Sequence, residues 1–191
     1  MAFTARFIFA VTIATVAMVA WGMVFWGSFS EPLGVFNGLP DDAGVRAALQ
    51  ASNPATGTYF SPFDRSTPEK MNEWLGMHRS GPFFKLSYVR EGADPQSPSK
   101  MAGGVLHYLV VSLIAAGIVL LGGAERPRVA RFGMVFLAGM MGTVFIQFGD
   151  VVWFHLPLDY PLGNLIYETG CWALLGGILA FLLPGRSAGV S

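Results

Sequence analysis

Four stretches of this chain are each long enough and apolar enough to cross a lipid bilayer, and no other feature constrains the fold as hard. A hydrocarbon core of about 30 Å takes roughly 20 apolar residues in a helix. Phe7 to Trp26 meets that demand with no charge at all. Ala102 to Gly122 meets it with one titratable residue, His107. Phe132 to Trp153 carries Gln147 and Asp150, and Leu162 to Leu183 carries Asn164 and Glu168. Each stretch is expected to be helical. Lipid satisfies no backbone N–H or C=O, and four spans cannot close a β-barrel. Ala14, Ala17 and Ala20 in the first stretch also fit a cleavage site. The apolar run continues to Trp26, however, beyond the ~7–15 residues of a signal-peptide core, so a retained anchor is expected.

Composition agrees. Charged residues make up 13% of the chain, against about 25% in an average soluble domain, and mean hydropathy is +0.51. Twelve basic residues balance twelve acidic ones, which leaves no electrostatic footprint for nucleic acid. The single cysteine, Cys171, permits neither an internal disulfide nor a multi-thiolate metal site. It reads as a small packing residue.

Orientation follows from the short loops. Gly123 to Arg131 holds Arg126, Arg128 and Arg131 against Glu125, a cytoplasmic pattern, whereas His155 to Gly163 has no Lys or Arg. Arg6 and Arg186 flank the two ends. The chain is therefore expected to be N-in and C-in, in a bacterial cytoplasmic membrane, with the long loop after the first span outside.

That loop carries local folding signals. Asp41 or Asp42 can cap a helix whose Val45, Ala48 and Leu49 share a face, and Asn53-Pro54 ends it. Thr58 to Phe60 is β-prone. Ser66-Thr67-Pro68-Glu69 starts a second helix, with Met71, Trp74, Leu75 and His78 as its stripe. Ser80-Gly81-Pro82 stops it, and Phe84, Leu86 and Tyr88 then alternate as in a half-buried strand. The reading is an all-α membrane protein, a four-transmembrane-helix bundle with a small α+β extracytoplasmic cap. Residues 1–28 form the first transmembrane helix and 29–101 the cap. Residues 102–186 are the three-helix region completing the bundle, and 187–191 a cytoplasmic tail. The cap is too small for a proper core. Its apolar faces are expected to pack on each other and on the outer ends of the membrane helices.

Polar residues at membrane depth are costly and face the bundle interior or water. With this topology His107, Gln147, Asp150, His155, Asn164 and Glu168 all fall toward the outer third of the bilayer, an outer-leaflet polar cluster. Gln147 and Asp150 share one helix face, Asn164 and Glu168 another. The expected reading is a hydrogen-bonded polar layer without a cofactor. A metal site would draw on His107, Asp150, His155 and Glu168, suitable ligand types without a tight spacing. A bis-imidazole haem would use His107 and His155. A proton or solute path would want polar residues continuing inward, where only Ser112 and Thr143 stand. Gly133, Ala138, Gly139, Gly142, Gly170, Gly176 and Gly177 give the third and fourth spans a small-residue character that serves bundle packing or, alternatively, oligomerisation. Trp21, Trp26, Trp153, Tyr108 and Tyr160 suit an aromatic belt. Nucleotide, nucleophile-elbow and Cys-x-x-Cys motifs are absent.

Trp21-Gly22-x-x-x-Trp26, Asn37-Gly38-Leu39-Pro40-Asp41, Gly57-x-Tyr59-Phe60-x-Pro62, His78-Arg79-Ser80-Gly81-Pro82 and Trp153-x-x-x-Pro157-Leu158-x-Tyr160, with Trp172 in the last span, resemble a group of short, uncharacterised four-span bacterial inner-membrane proteins that carry an extracytoplasmic loop after the first span. The resemblance implies the same layout and no activity. It sets Arg79 at a helix end beneath the cap, where the residues alone read as a helix stop. The expected role is a non-catalytic accessory, assembly or interaction protein acting through its cap, with the lipid bilayer and another membrane or periplasmic protein as partners. The alternative is a small membrane carrier or metal-dependent membrane enzyme built on the polar cluster.

Overall fold

The computed structural model describes residues 3–184; Arg186 and the tail 187–191 lie outside the described residues. Two compact units emerge: a helical unit, Met1–Asn37 with Gln96–Ser191, and an insert, Gly38–Pro95.

The helical unit holds α1 (Phe3–Val24), α4 (Pro98–Gly123), α5 (Arg128–Phe154) and α6 (Asp159–Leu182). Counting the five-residue π-helix that continues α1 (Phe25–Phe29), all four are long and apolar enough to span a membrane. The spans reach a few residues beyond the purely apolar stretches, because capping extends them. Ser97 accepts from Lys100 N–H at the start of α4, with Pro98 in the first turn. At the other end of α5, His155 adopts the left-handed conformation that closes the helix, its N–H returning to the Asp150 carbonyl.

Burial runs opposite to that of a water-soluble protein. Leu121 is 92% exposed and Phe145 81%, while the core is made of small and medium side chains: Ala10, Ala14, Ala115 and Ala116 packed with Val119, Val135, Leu175 and Leu179. In water such an apolar exterior would aggregate. In lipid it is neutral, and close approach of small residues drives packing instead. Gly139 and Gly170 show why glycine is needed there. A Cβ on Gly139 would fall inside the Trp172 ring, and one on Gly170 would collide with the indole of Trp21. Both glycines receive tryptophans from this same chain. Trp21, a belt residue by sequence, is an internal tie: its N–H donates to the Tyr167 carbonyl at 2.9 Å. Beyond it, Phe25 and Trp26 each lie against Tyr167 with ring centroids 5.2 and 5.3 Å away, and Asn37 donates to Asp159 at 2.6 Å. These contacts fasten the far end of the first span to α6. At the opposite end, buried Arg131 in the first turn of α5 donates to the Leu183 carbonyl at 2.9 Å. A cation at the carbonyl end of a helix satisfies its unpaired acceptors and its dipole.

The insert follows the element order suggested by its capping signals: α2 (Asp42–Ser52), β1 (Gly57–Ser61), α3 (Pro68–Ser80), β2 (Phe84–Tyr88). Asp41 is the cap of α2, accepting from Gly44 N–H at 2.9 Å, and Asn53 closes it with φ 50°. Thr67 caps α3 with Pro68 in its first turn, and Gly81 at φ 63° ends it. β1 and β2 pair antiparallel, Tyr59 opposite Leu86. Of the expected α3 stripe, Trp74, Leu75 and His78 are half-buried. Trp74 donates to the Pro62 carbonyl at 2.9 Å and packs edge-on to His78 at 4.4 Å. No residue of the insert is fully buried.

Candidate functional site

The six polar residues expected to form one layer divide into separate groups. Glu168, within a turn of the midpoint of α6, is the centre of the group with the densest bonding. Its two carboxylate oxygens have different partners on α5. Gln147 Nε2 donates to Oε1 at 3.0 Å, and the Thr143 hydroxyl contacts Oε2. Thr143 in turn accepts from Trp172 Nε1 at 3.0 Å, with the Gly139 carbonyl at 3.2 Å as an alternative acceptor for its proton. The result is a chain of donors, Trp172 to Thr143 to Glu168, met from the other side by Gln147. An acidic residue at the centre of a spanning helix costs about 3 kcal/mol on insertion scales, and these donors offset part of that cost.

Helical periodicity explains the group. Thr143 and Gln147 are i, i+4 on α5; Glu168 and Trp172 are i, i+4 on α6. Each pair shares a face, and the two faces meet. Sequence pairing had run outward, from Gln147 to Asp150 and from Glu168 back to Asn164. The partners that bond lie one turn further in. Thr143 and Trp172 were the residues missed as members of the site. The signal that finds them is the inward i, i+4 repeat of polar or N–H-bearing side chains.

The other expected members stand apart from this chain of bonds. Asn164 is buried but donates to the Tyr160 carbonyl of its own helix at 3.0 Å. Asp150 is half-buried near the end of α5, where its carbonyl serves the helix cap. His107 is exposed on α4 beside the Tyr108 ring, and His155 is the exposed cap residue of α5. Among the described residues, no three His, Cys, Asp or Glu side chains converge as a metal-binding group. Ser112 and Thr15 form a second buried polar contact, 3.3 Å, between α4 and α1. Tyr108 and Tyr167 touch through their hydroxyls. Cys171 is buried and free. In the insert, Arg79 is exposed in the last turn of α3, where a cation suits the negative helix end.

The Glu168 group opens into a cavity of about 300 Å³. α4 supplies Val111 and Ile114 to one wall, α5 supplies Ala138, Gly142 and Ile146 to the other, and Glu168 and Trp172 of α6 form the floor. Ile114 and Ile146 are mostly exposed, so the cavity opens sideways between α4 and α5. A Cβ placed on Gly142 would meet nothing within 4 Å.

Comparison with family models, with curated proteins and with solved structures finds no match to this chain.

Proposed function

We propose that this integral membrane protein is a four-helix bundle of a bacterial cytoplasmic membrane, with both ends cytoplasmic and the insert outside, and that it is a non-catalytic accessory or assembly protein. Its insert docks another membrane or periplasmic protein. The orientation rests on Arg126, Arg128 and Arg131 in one short connection and on the lack of Lys and Arg in the next.

One observation carries the docking role. The insert spends its ordered structure on display rather than on a core. α2 and α3 bury no residue, while Leu39, Phe63, Met77, Phe84 and Val89 stand exposed, Phe63 at 70%. A folded, capped unit that keeps several large apolar side chains uncovered has the character of an interaction surface. Replacing Phe63 by a photoreactive benzoylphenylalanine and illuminating intact cells tests this. The expected product is a discrete adduct with one other protein. Adducts with lipid alone, or none, overturn the role.

The small-carrier alternative has one specific observation in its favour, the Glu168 carboxylate facing a laterally open cavity.

A further inference from the structure

We propose that the cleft between α4 and α5 is a binding site for a lipophilic cation, an apolar body carrying one positive charge that seats against Glu168. This goes beyond the docking role and stands or falls independently of it.

Three features of the cleft define its occupant. Its walls are aliphatic, from Val111 and Ile114 to Ala138 and Ile146, so a hydrophilic ion finds no replacement there for its water. Its mouth is lateral, so a ligand enters from the hydrocarbon, where lipophilic molecules concentrate. Its floor holds an acid and an indole side by side, Glu168 and Trp172. A carboxylate with an aromatic neighbour is the pairing that recognises an organic cation, through charge and through the ring quadrupole.

The bonding at Glu168 leaves that role open. Both of its protein partners, Gln147 and Thr143, are neutral, and no ion pair among the described residues involves it. A lipid chain lying in the cleft would match the walls and leave the acid facing hydrocarbon. An anion of the same shape would be repelled. The small residues then have distinct uses. Gly139 makes room for Trp172, which holds Thr143 and through it the carboxylate. Gly142, also in the cavity lining, leaves open space where a Cβ would stand. A multi-carboxylate inorganic cation site does not fit, because a single acidic side chain lines the cleft.

The test uses the full chain in lipid nanodiscs with tetraphenylphosphonium as the probe and tetraphenylborate, its anionic counterpart in shape, as the control. Saturable binding of about one phosphonium per chain is expected, weakened at least tenfold by Glu168→Gln, an isosteric change that keeps a hydrogen-bonding side chain. Gly142→Leu fills the cleft while leaving the acid in the sequence and is expected to weaken binding as much. Both variants are first matched to the parent in thermal transition and size. Dicyclohexylcarbodiimide, which reaches carboxyl groups from the lipid side, adds a readout for the unaltered chain. It is expected to modify Glu168, and saturating phosphonium is expected to block that modification. Equal binding by the parent and Glu168→Gln, equal binding of tetraphenylborate, unweakened binding by Gly142→Leu, or labelling that phosphonium does not slow would each overturn the site.

Discussion

Two tryptophans show how differently the two units are held together. Trp172, in the helical unit, lies in a space that exists because residue 139 has no side chain, and its N–H ends on a threonine of another helix. Trp74, in the insert, is half-buried, and its N–H ends on a backbone carbonyl twelve residues earlier in the chain. The first depends on fit between elements far apart in sequence. The second depends on a local turn. The contrast follows from the solvent. Where lipid surrounds the helices, burying apolar surface gains almost nothing, so shape and buried hydrogen bonds decide the packing. Where water surrounds a short insert, apolar burial would help, but too little chain is present to achieve it. Caps, turns and single aromatic contacts hold it instead.

Gly139→Leu puts the greatest strain on this contrast. The new side chain competes with the Trp172 ring, and the donor chain from Trp172 through Thr143 to Glu168 is lost with it. Overpacking of this kind costs roughly 1–3 kcal/mol, and the unsatisfied polar groups add about 1–3 more. The thermal transition of the full chain in detergent is expected to fall by many degrees, while protease cleavage within the insert keeps its rate. An unchanged transition would mean that this fit does not hold α5 to α6.

Trp74→Ala is the mirror experiment. Full burial of a tryptophan makes its loss worth about 3–5 kcal/mol. At half burial, with one hydrogen bond and the Arg65 guanidinium 5.2 Å from the ring, roughly 1–2 kcal/mol is expected. Limited proteolysis between Pro62 and Phe83 should accelerate, and the thermal transition of the helices should not move. If both units loosen together, they are not independent and the contrast between them fails.

The same division decides what was legible in the sequence. The spans were, because length and hydropathy are properties of a segment by itself. The caps of the insert were, because Asp41 and Thr67 each bond to an N–H three residues ahead. The pairing of β1 with β2 was not. Each run reads as a strand, but nothing local in Gly57–Ser61 specifies Phe84–Tyr88 as its partner. The grouping around Glu168 was legible in part. Periodicity fixes which residues share a face of one helix, yet the rotation of α5 against α6 decides which faces meet. That rotation is set by fits such as Gly139 with Trp172, which only the assembled helices reveal. His107 and His155 illustrate the converse. Similar depth and suitable chemistry singled them out, and exposed positions on α4 and at the end of α5 keep them out of the Glu168 chain of bonds.

The smallest expected effect lies in an ion pair of the insert, Lys70 with Asp64. Hydrogen bonding from Lys70, with the Ser66 N–H second, lowers the Asp64 carboxyl to about 2. A folded-state value below the unfolded one means the folded insert prefers the ionised acid. That preference contributes its full stability above the ordinary aspartate range near 4 and loses it as pH falls through about 2. Lys70 is shifted upward by the same contact, so its share is present at every pH below the ordinary lysine range and disappears only above it. The two shifts describe one interaction and are not added. Both groups are open to water, which screens the pair and keeps the effect slight. Glu69 and Glu91 are lowered as well, the first by its own backbone N–H and Thr67, the second by Thr56, so acid loosens the insert even without Asp64. The measurement is therefore a difference. Protection of the α3 amides, taken relative to the intrinsic exchange rate at each pH, should fall more between pH 4 and pH 2 in the parent than in Asp64→Asn, and half-molar salt should narrow the gap. A parent and variant that respond alike would show that the Lys70–Asp64 pair contributes no measurable share to the insert's stability.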